Sequence, residues 1–208
     1  MSANMVRRRP DRSRIGGMEL LDAYRRALGE FADRVTAVRP GQWSDPTPCT
    51  GWTVRELVNH LVYEDRWTVP LINGAALADV GDRFEGDLLG DDPAATARDA
   101  VAESVAAVSA PGALSRTVEL SSGDTPAEEY VRQLLADHVV HGWDLAAATG
   151  GDRRLDPDLV RTVAEWFPAH EAGYRAGGAI AEAVDVPADA SPQDRLIAAF
   201  GRDPGWRP

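Results

Sequence analysis

The amino-acid sequence predicts an all-α protein, a bundle of four long helices with a short helical elaboration at the C-terminus. Three observations carry this expectation. Apolar residues recur at intervals of three and four along several long segments, the period of a helix with one face in a core. Helix starts are marked by a capping side chain followed by proline, or by a glutamate three residues on. Stretches of strand character are too few, and connections too short, for a parallel sheet.

Over residues 18–38, Leu21, Tyr24, Leu28, Phe31 and Val35 form one apolar stripe, which Pro40 and Gly41 end. The turn-rich "SDPTPCTGW" leads to Thr53, an N-cap whose "TVRE" predicts a capping box with Glu56. The second helix then spans residues 54–72, with Val54, Leu57, Val58, Leu61 and Val62 on its apolar side, and Asn73-Gly74 stop it. Residues 75–92 mix glycines and acids without a clean period and read as a loop holding at most a short helical turn. Asp92 followed by Pro93 opens a third helix to about Ser109, with alanine and valine inside. In the connection that follows, "RTVEL" reads as a short extended piece. Thr125, in "TPAE", predicts a second capping box and a helix to about Ala148, closed by Gly150. Asp156-Pro157 and Ser191-Pro192 open two further helices.

The bulk numbers bound the function. With 208 residues, 44% of them hydrophobic, the chain has material for one sizeable core. All 22 basic residues are arginine, against 33 acids, for a net charge of −11. Residues 1–17 hold five of those arginines and one acid, and they read as a disordered basic leader rather than a nucleic-acid arm. Residues 18–208 are then a single helical domain with 17 arginines against 32 acids, a net of −15. Such a body repels nucleic acid and anionic membrane surfaces. No run of 18 apolar residues offers a membrane span. The single cysteine, Cys49, rules out an intrachain disulfide and fits a reducing cytoplasm. In its turn it reads more simply as a small buried residue than as a nucleophile, with no base beside it in sequence.

One stretch stands apart. "LLADHVVHGWDLAAATG", residues 134–150, crowds Asp137, His138, His141 and Asp144 into an apolar helical segment. Asp137 and His141 are four residues apart, on one face, the spacing with which two side chains hold one metal ion. His138 and His141, three apart, offer the same. A third ligand must come from elsewhere, and His60, at the edge of the second helix's apolar stripe, is the candidate, with Glu64 one turn on. Two histidines and a carboxylate leave coordination positions for water or substrate, and they suit zinc, nickel, iron or manganese. The blander readings are a packed structural histidine, a surface Asp–His pair, and a buried Trp143 beside a hydrogen-bonded Asp144. Phosphate loops, nucleophile elbows and paired cysteine motifs are absent from the sequence.

At these residues the chain resembles a known family. "TPCTGWTVRELVNHLVYEDRW", followed downstream by "DHVVHGWDLAAATG", is similar to actinobacterial proteins of the DinB-like superfamily. The named relatives are the N-terminal domains of mycothiol-dependent maleylpyruvate isomerases. The closing "VPADASPQDRLIAAFGRDPGW" resembles the C-terminal signature of an uncharacterised branch. The resemblance implies an up-and-down four-helix bundle with a divalent metal, zinc foremost, in a cavity between the helices. The implied ligands are His60, Asp137 and His141. Where the isomerases typically carry glutamate, this chain has Asp137, one methylene shorter. The resemblance further implies mycothiol as co-substrate, its sulfur activated by the metal to attack a small electrophile.

Two classes of function follow as expectations. One is a metal-dependent thiol transferase or isomerase, with a small-molecule thiol and an electrophile as partners and no nucleic acid or membrane. The other is a non-catalytic metal-binding bundle with a binding or stress-related role. An arginine such as Arg66 would suit an acidic substrate, though nothing singles it out among 22. A homodimer is compatible with the sequence.

Overall fold

The computed structural model describes residues 14, 15 and 18–208. The basic leader lies outside the described residues, except that β1 (Arg14–Ile15) pairs antiparallel with β2 (Met18–Glu19). Four long helices follow in the expected order: α1 (Leu20–Thr36), α2 (Val54–Ile72), α4 (Pro93–Val108) and α5 (Ala127–Thr149), with the single-turn α3 (Leu77–Val80) in the loop after α2. Both α1 and α2 pack against α4 and α5, so the four form one bundle.

Local chemistry sets the helix boundaries. Thr53 caps α2 by accepting from the Glu56 backbone N–H at 3.3 Å, while Glu56 Oε2 accepts the Thr53 backbone N–H at 2.7 Å. Asp92 caps α4 through the Ala95 N–H at 2.9 Å. On α4 the inner face is Ala97, Ala100, Val101 and Ser104, small enough for close helix approach, and Tyr24 of α1 hydrogen-bonds Ser104 at 2.7 Å. α5 is buried on almost every side from Tyr130 to Ala148, its polar side chains included, as the bundle's most enclosed helix. Its end is set by Gly150 at φ 70°, the left-handed region that glycine enters without strain. Burying Trp143, Tyr24, Phe31 and the leucines around them contributes roughly 1.5–3 kcal/mol per side chain.

The expected Thr125 cap is not formed. Residues Thr117–Leu120 (β3) and Gly123–Pro126 (β4) pair as a hairpin, and Thr125 lies in its ladder opposite Val118. The Thr125 hydroxyl donates to the Gly123 carbonyl at 3.1 Å, and α5 starts at Ala127 without a side-chain cap. Strand pairing has claimed the residue that the local motif assigned to the helix.

The C-terminal elaboration comprises α6 (Pro157–Trp166), α7 (Glu171–Ala176) and α8 (Pro192–Ala199). Asp156 and Ser191 cap α6 and α8 as the sequence predicts. Phe167 stacks on Phe200 with ring centroids 4.0 Å apart, which ties α6 to the end of α8. Gly201 then turns at φ 82°, and a Cβ there would lie 2.8 Å from the Cβ of Ala181. Glycine is therefore required where the tail re-enters the bundle. Among the described residues no helix is long and apolar enough to cross a membrane.

Candidate functional site

The structure brings the three sequence-selected residues together. His60 is on α2, and Asp137 and His141 are on successive turns of α5. His60 Nε2 lies 2.9 Å from Asp137 Oδ2, and His141 Nε2 lies 3.3 Å from Asp137 Oδ1. One ligand atom from each of the three residues lies within 4.8 Å of the others. The Asp137 side chain sits deep in the molecule yet keeps 34% of its surface open to a cavity.

Supporting groups fix this arrangement. His141 Nδ1 donates to Asp144 Oδ2 at 2.9 Å, since an ionised carboxylate only accepts. That bond directs the other ring nitrogen toward Asp137. Asp144 is wholly buried and its Oδ2 also accepts from Arg202 Nε at 3.2 Å and Nη2 at 3.1 Å. A carboxylate behind an imidazole, itself held by a further partner, is the usual outer support of a metal-ligating histidine. Trp52, from the turn before α2, covers both histidines, its ring centroid 4.9 Å from His60 and 5.7 Å from His141. The donor set is thus two imidazole nitrogens and a carboxylate, each on a rigid helix, which fits a divalent ion of the zinc or iron type.

Protonation follows from this crowding. Burial alone would raise the Asp137 carboxyl, but His141 and His60 overcome it and hold it well below the usual carboxylate range. Burial opposes charge on His141, yet Asp137 and Asp144 push it up to about 9. Burial, then the charge of Asp137, raises Glu64 to about 7.

The other candidates separate cleanly. Glu64 lines the same cavity as the triad. His138 does not join: one residue on from Asp137, it is rotated about 100° around the helix. It donates from Nδ1 to the Leu134 carbonyl at 2.8 Å, reaches Asp65 with Nε2 at 3.3 Å, and is edge-on to Phe31. Arg66 pairs with Glu103 and does not line the cavity. Cys49 does line it, half-buried, its thiol pushed up chiefly by burial.

The cavity, about 510 Å³, opens onto His60, Asp137 and His141. Its outer wall comes from the C-terminal elaboration, with Trp166, Tyr174, Ile180, Phe200 and Arg202. None of these, nor Trp52 or the supporting role of Asp144, was apparent as part of the site from the sequence. The three-residue spacing of His141 and Asp144 was the one available signal, while Arg202 lies 58 residues further on.

A helical bundle with a His₂–carboxylate cluster on two of its helices, open to an internal cavity, is the class this fold and site define. The family model described as mycothiol maleylpyruvate isomerase N-terminal domain matches residues 24–146, and the chain belongs to that family. An uncharacterised protein of Mycobacterium tuberculosis, matched in strains CDC 1551 / Oshkosh and ATCC 25618 / H37Rv, is 34% identical over 191 residues, covering 89% of this chain and 98% of its own. Two crystal structures of the mycothiol-dependent maleylpyruvate isomerase, one of them a histidine-to-alanine mutant, share the fold at TM-scores of 0.54 and 0.55 with 17% and 16% identity. The match covers 69% of this chain and 65% of each of those chains.

Proposed function

We propose that this protein binds a divalent metal ion, zinc foremost, through His60, Asp137 and His141, and transfers a low-molecular-weight thiol, mycothiol, to a small electrophile. The observation that carries the reading is the convergence of the three ligand atoms at an open cavity rather than in solid core. An ion there would lower the pKa of a coordinating thiol, so that a thiolate is present at neutral pH. The chain's own residues do the rest. Asp144 holds the His141 ring in one tautomer, with Nε2 free to ligate. Arg202 pairs with Asp144 in its buried place and holds that carboxylate behind the ring. Trp52 shields one side of the cluster from water, and the aromatic wall from the C-terminal elaboration offers apolar surface to the electrophile.

Mycothiol comes from the names of the family and of the isomerase structures, which supports that thiol over others. The space beside the ligands favours chemistry over a non-catalytic metal store. The test is a panel of thiols, mycothiol included, assayed with a chromogenic electrophile and the metal-loaded protein. His141→Ala should abolish transfer and Cys49→Ser should retain it. No rate above that of free thiol plus metal, for any thiol in the panel, would end the transferase reading.

A further inference from the structure

The turn-rich segment before α2 holds one indole against the ligand cluster. Pro46 and Thr53 face each other in an isolated antiparallel bridge, which closes residues 47–52 into a loop. Inside it the Trp52 N–H donates to the Cys49 carbonyl at 3.0 Å, and the Thr47 N–H donates to the Trp52 carbonyl at 3.0 Å. The hydroxyl of Thr47, a residue only 6% exposed, accepts the Cys49 N–H at 3.2 Å and donates to the Trp52 carbonyl at 3.0 Å. Gly51, third residue of the turn from Cys49 to Trp52, has φ 85°, a positive value that glycine adopts there without strain. The result is a fixed ring. Trp52 packs on the core cluster that includes Phe31, Leu57 and Leu145. It meets the His60 ring at 51° and lies within 24° of parallel to that of His141. The two imidazoles themselves meet edge-on, with centroids 5.3 Å apart.

We propose that Trp52 is a positioning residue for the metal site, its ring holding the two imidazoles, and His60 above all, in the ligating orientation; this rests on the metal-binding reading. The two histidines are held differently. His141, with 6% of its side chain exposed, has Asp144 behind Nδ1 and Arg202 behind Asp144. His60, with 27% exposed, is held by Asp137 on the ligand side and by the rings of Trp52 and His141. The outer torsion of a histidine is broad and soft, so a ring on the cavity side turns unless a wall stops it. Fixing one such side chain beforehand contributes roughly 2–10-fold to affinity. Trp52 acts on two of them, and roughly 10–100-fold is the range that outer support of ligating residues commands.

Zinc affinity by competition with a chromogenic chelator, and the visible absorption of the cobalt(II)-loaded full chain, test the idea, with circular dichroism as the check on folding. Trp52→Leu should keep the helical signal, weaken zinc roughly 10–100-fold and change the cobalt bands, which report ligand geometry. Trp52→Phe keeps a ring face and should stay within about fivefold of wild type, with the wild-type bands. Thr47→Val changes no ring and removes only the hydroxyl that braces the loop; it should weaken zinc about three- to tenfold. If Trp52→Leu loses its helical signal, Thr47→Val decides by the same two readouts. Zinc held within about twofold of wild type by Trp52→Leu, with unchanged cobalt bands, would overturn the proposal. So would a Trp52→Phe as weak as Trp52→Leu, or a Thr47→Val as tight as wild type. A wild type that binds no zinc would sink the metal-binding reading and this inference with it. A wild type that binds zinc and loses nothing in Trp52→Leu would sink this inference alone.

Discussion

Replacing Asp144 by alanine should be among the most damaging single changes in the molecule. The side chain is fully buried and one oxygen, Oδ2, accepts from His141 Nδ1, Arg202 Nε and Arg202 Nη2 at 2.9–3.2 Å. Its removal strands the guanidinium of Arg202, a residue only 8% exposed, without a counter-charge. Breaking a buried pair from one side costs about 3–5 kcal/mol, a large share of the roughly 5–15 kcal/mol that holds a domain folded. Asp144→Ala/Arg202→Met removes both charges and should recover at least about 1 kcal/mol relative to the sum of the single changes. Urea unfolding of the metal-free proteins at pH 7, followed by circular dichroism, measures all four corners of that cycle. His141 also loses the acceptor that fixes its ring, so metal affinity should fall roughly 10–100-fold even where the variant stays folded. A cost below about 1 kcal/mol for Asp144→Ala, or strict additivity in the double variant, would refute the claim that these residues form one buried unit.

Glu64→Gln should reshape the stability–pH curve of the metal-free protein. The folded carboxyl is raised from the ordinary value of 4.5 to about 7, so the native state holds the proton more tightly and wild-type stability falls as pH rises between those values. The variant lacks that fall, and above pH 7 it should gain on wild type by up to about 3 kcal/mol, seen as a rising melting-temperature difference across pH 4.5–7. Thr53→Ala should cost about 1 kcal/mol in urea unfolding by removing the α2 cap, with Thr53→Ser restoring most of it. Gly201→Ala should cost at least about 1–2 kcal/mol, because φ 82° is unfavourable for any Cβ and Ala181 blocks the space; metal affinity should drop with it as Arg202 is displaced.

The helical frame was legible because it is written locally. Stripes at three and four, Thr53 with Glu56, and Asp92, Asp156 and Ser191 each before its helix are patterns within one or two turns, and the structure keeps all of them. Thr125 failed because its partner in the hairpin, Val118, belongs to another segment and outcompetes the local cap. The triad was legible for a related reason: Asp137 and His141 share a face of one helix, and His60 needed only the two helices to be neighbours. The same geometry explains why His138, a residue away, turns to Asp65 instead. Trp52 and Arg202 were hidden because their roles depend on where a loop and a tail fold back, which no periodicity records. The C-terminal wall of the cavity is hidden for the same reason, since α6–α8 pack on the bundle through long-range contacts such as Phe167 on Phe200.

Metal analysis of the purified protein beside His60→Ala tests the central proposal most directly. Elemental analysis after exposure to zinc and removal of excess should give about one ion per chain for the wild type, since the three residues form a single His₂–carboxylate set. His60→Ala keeps the α5 pair but loses the ligand from α2, so it should retain little of that ion while its helical signal stays unchanged. Equal, sub-stoichiometric zinc in both proteins would contradict the account.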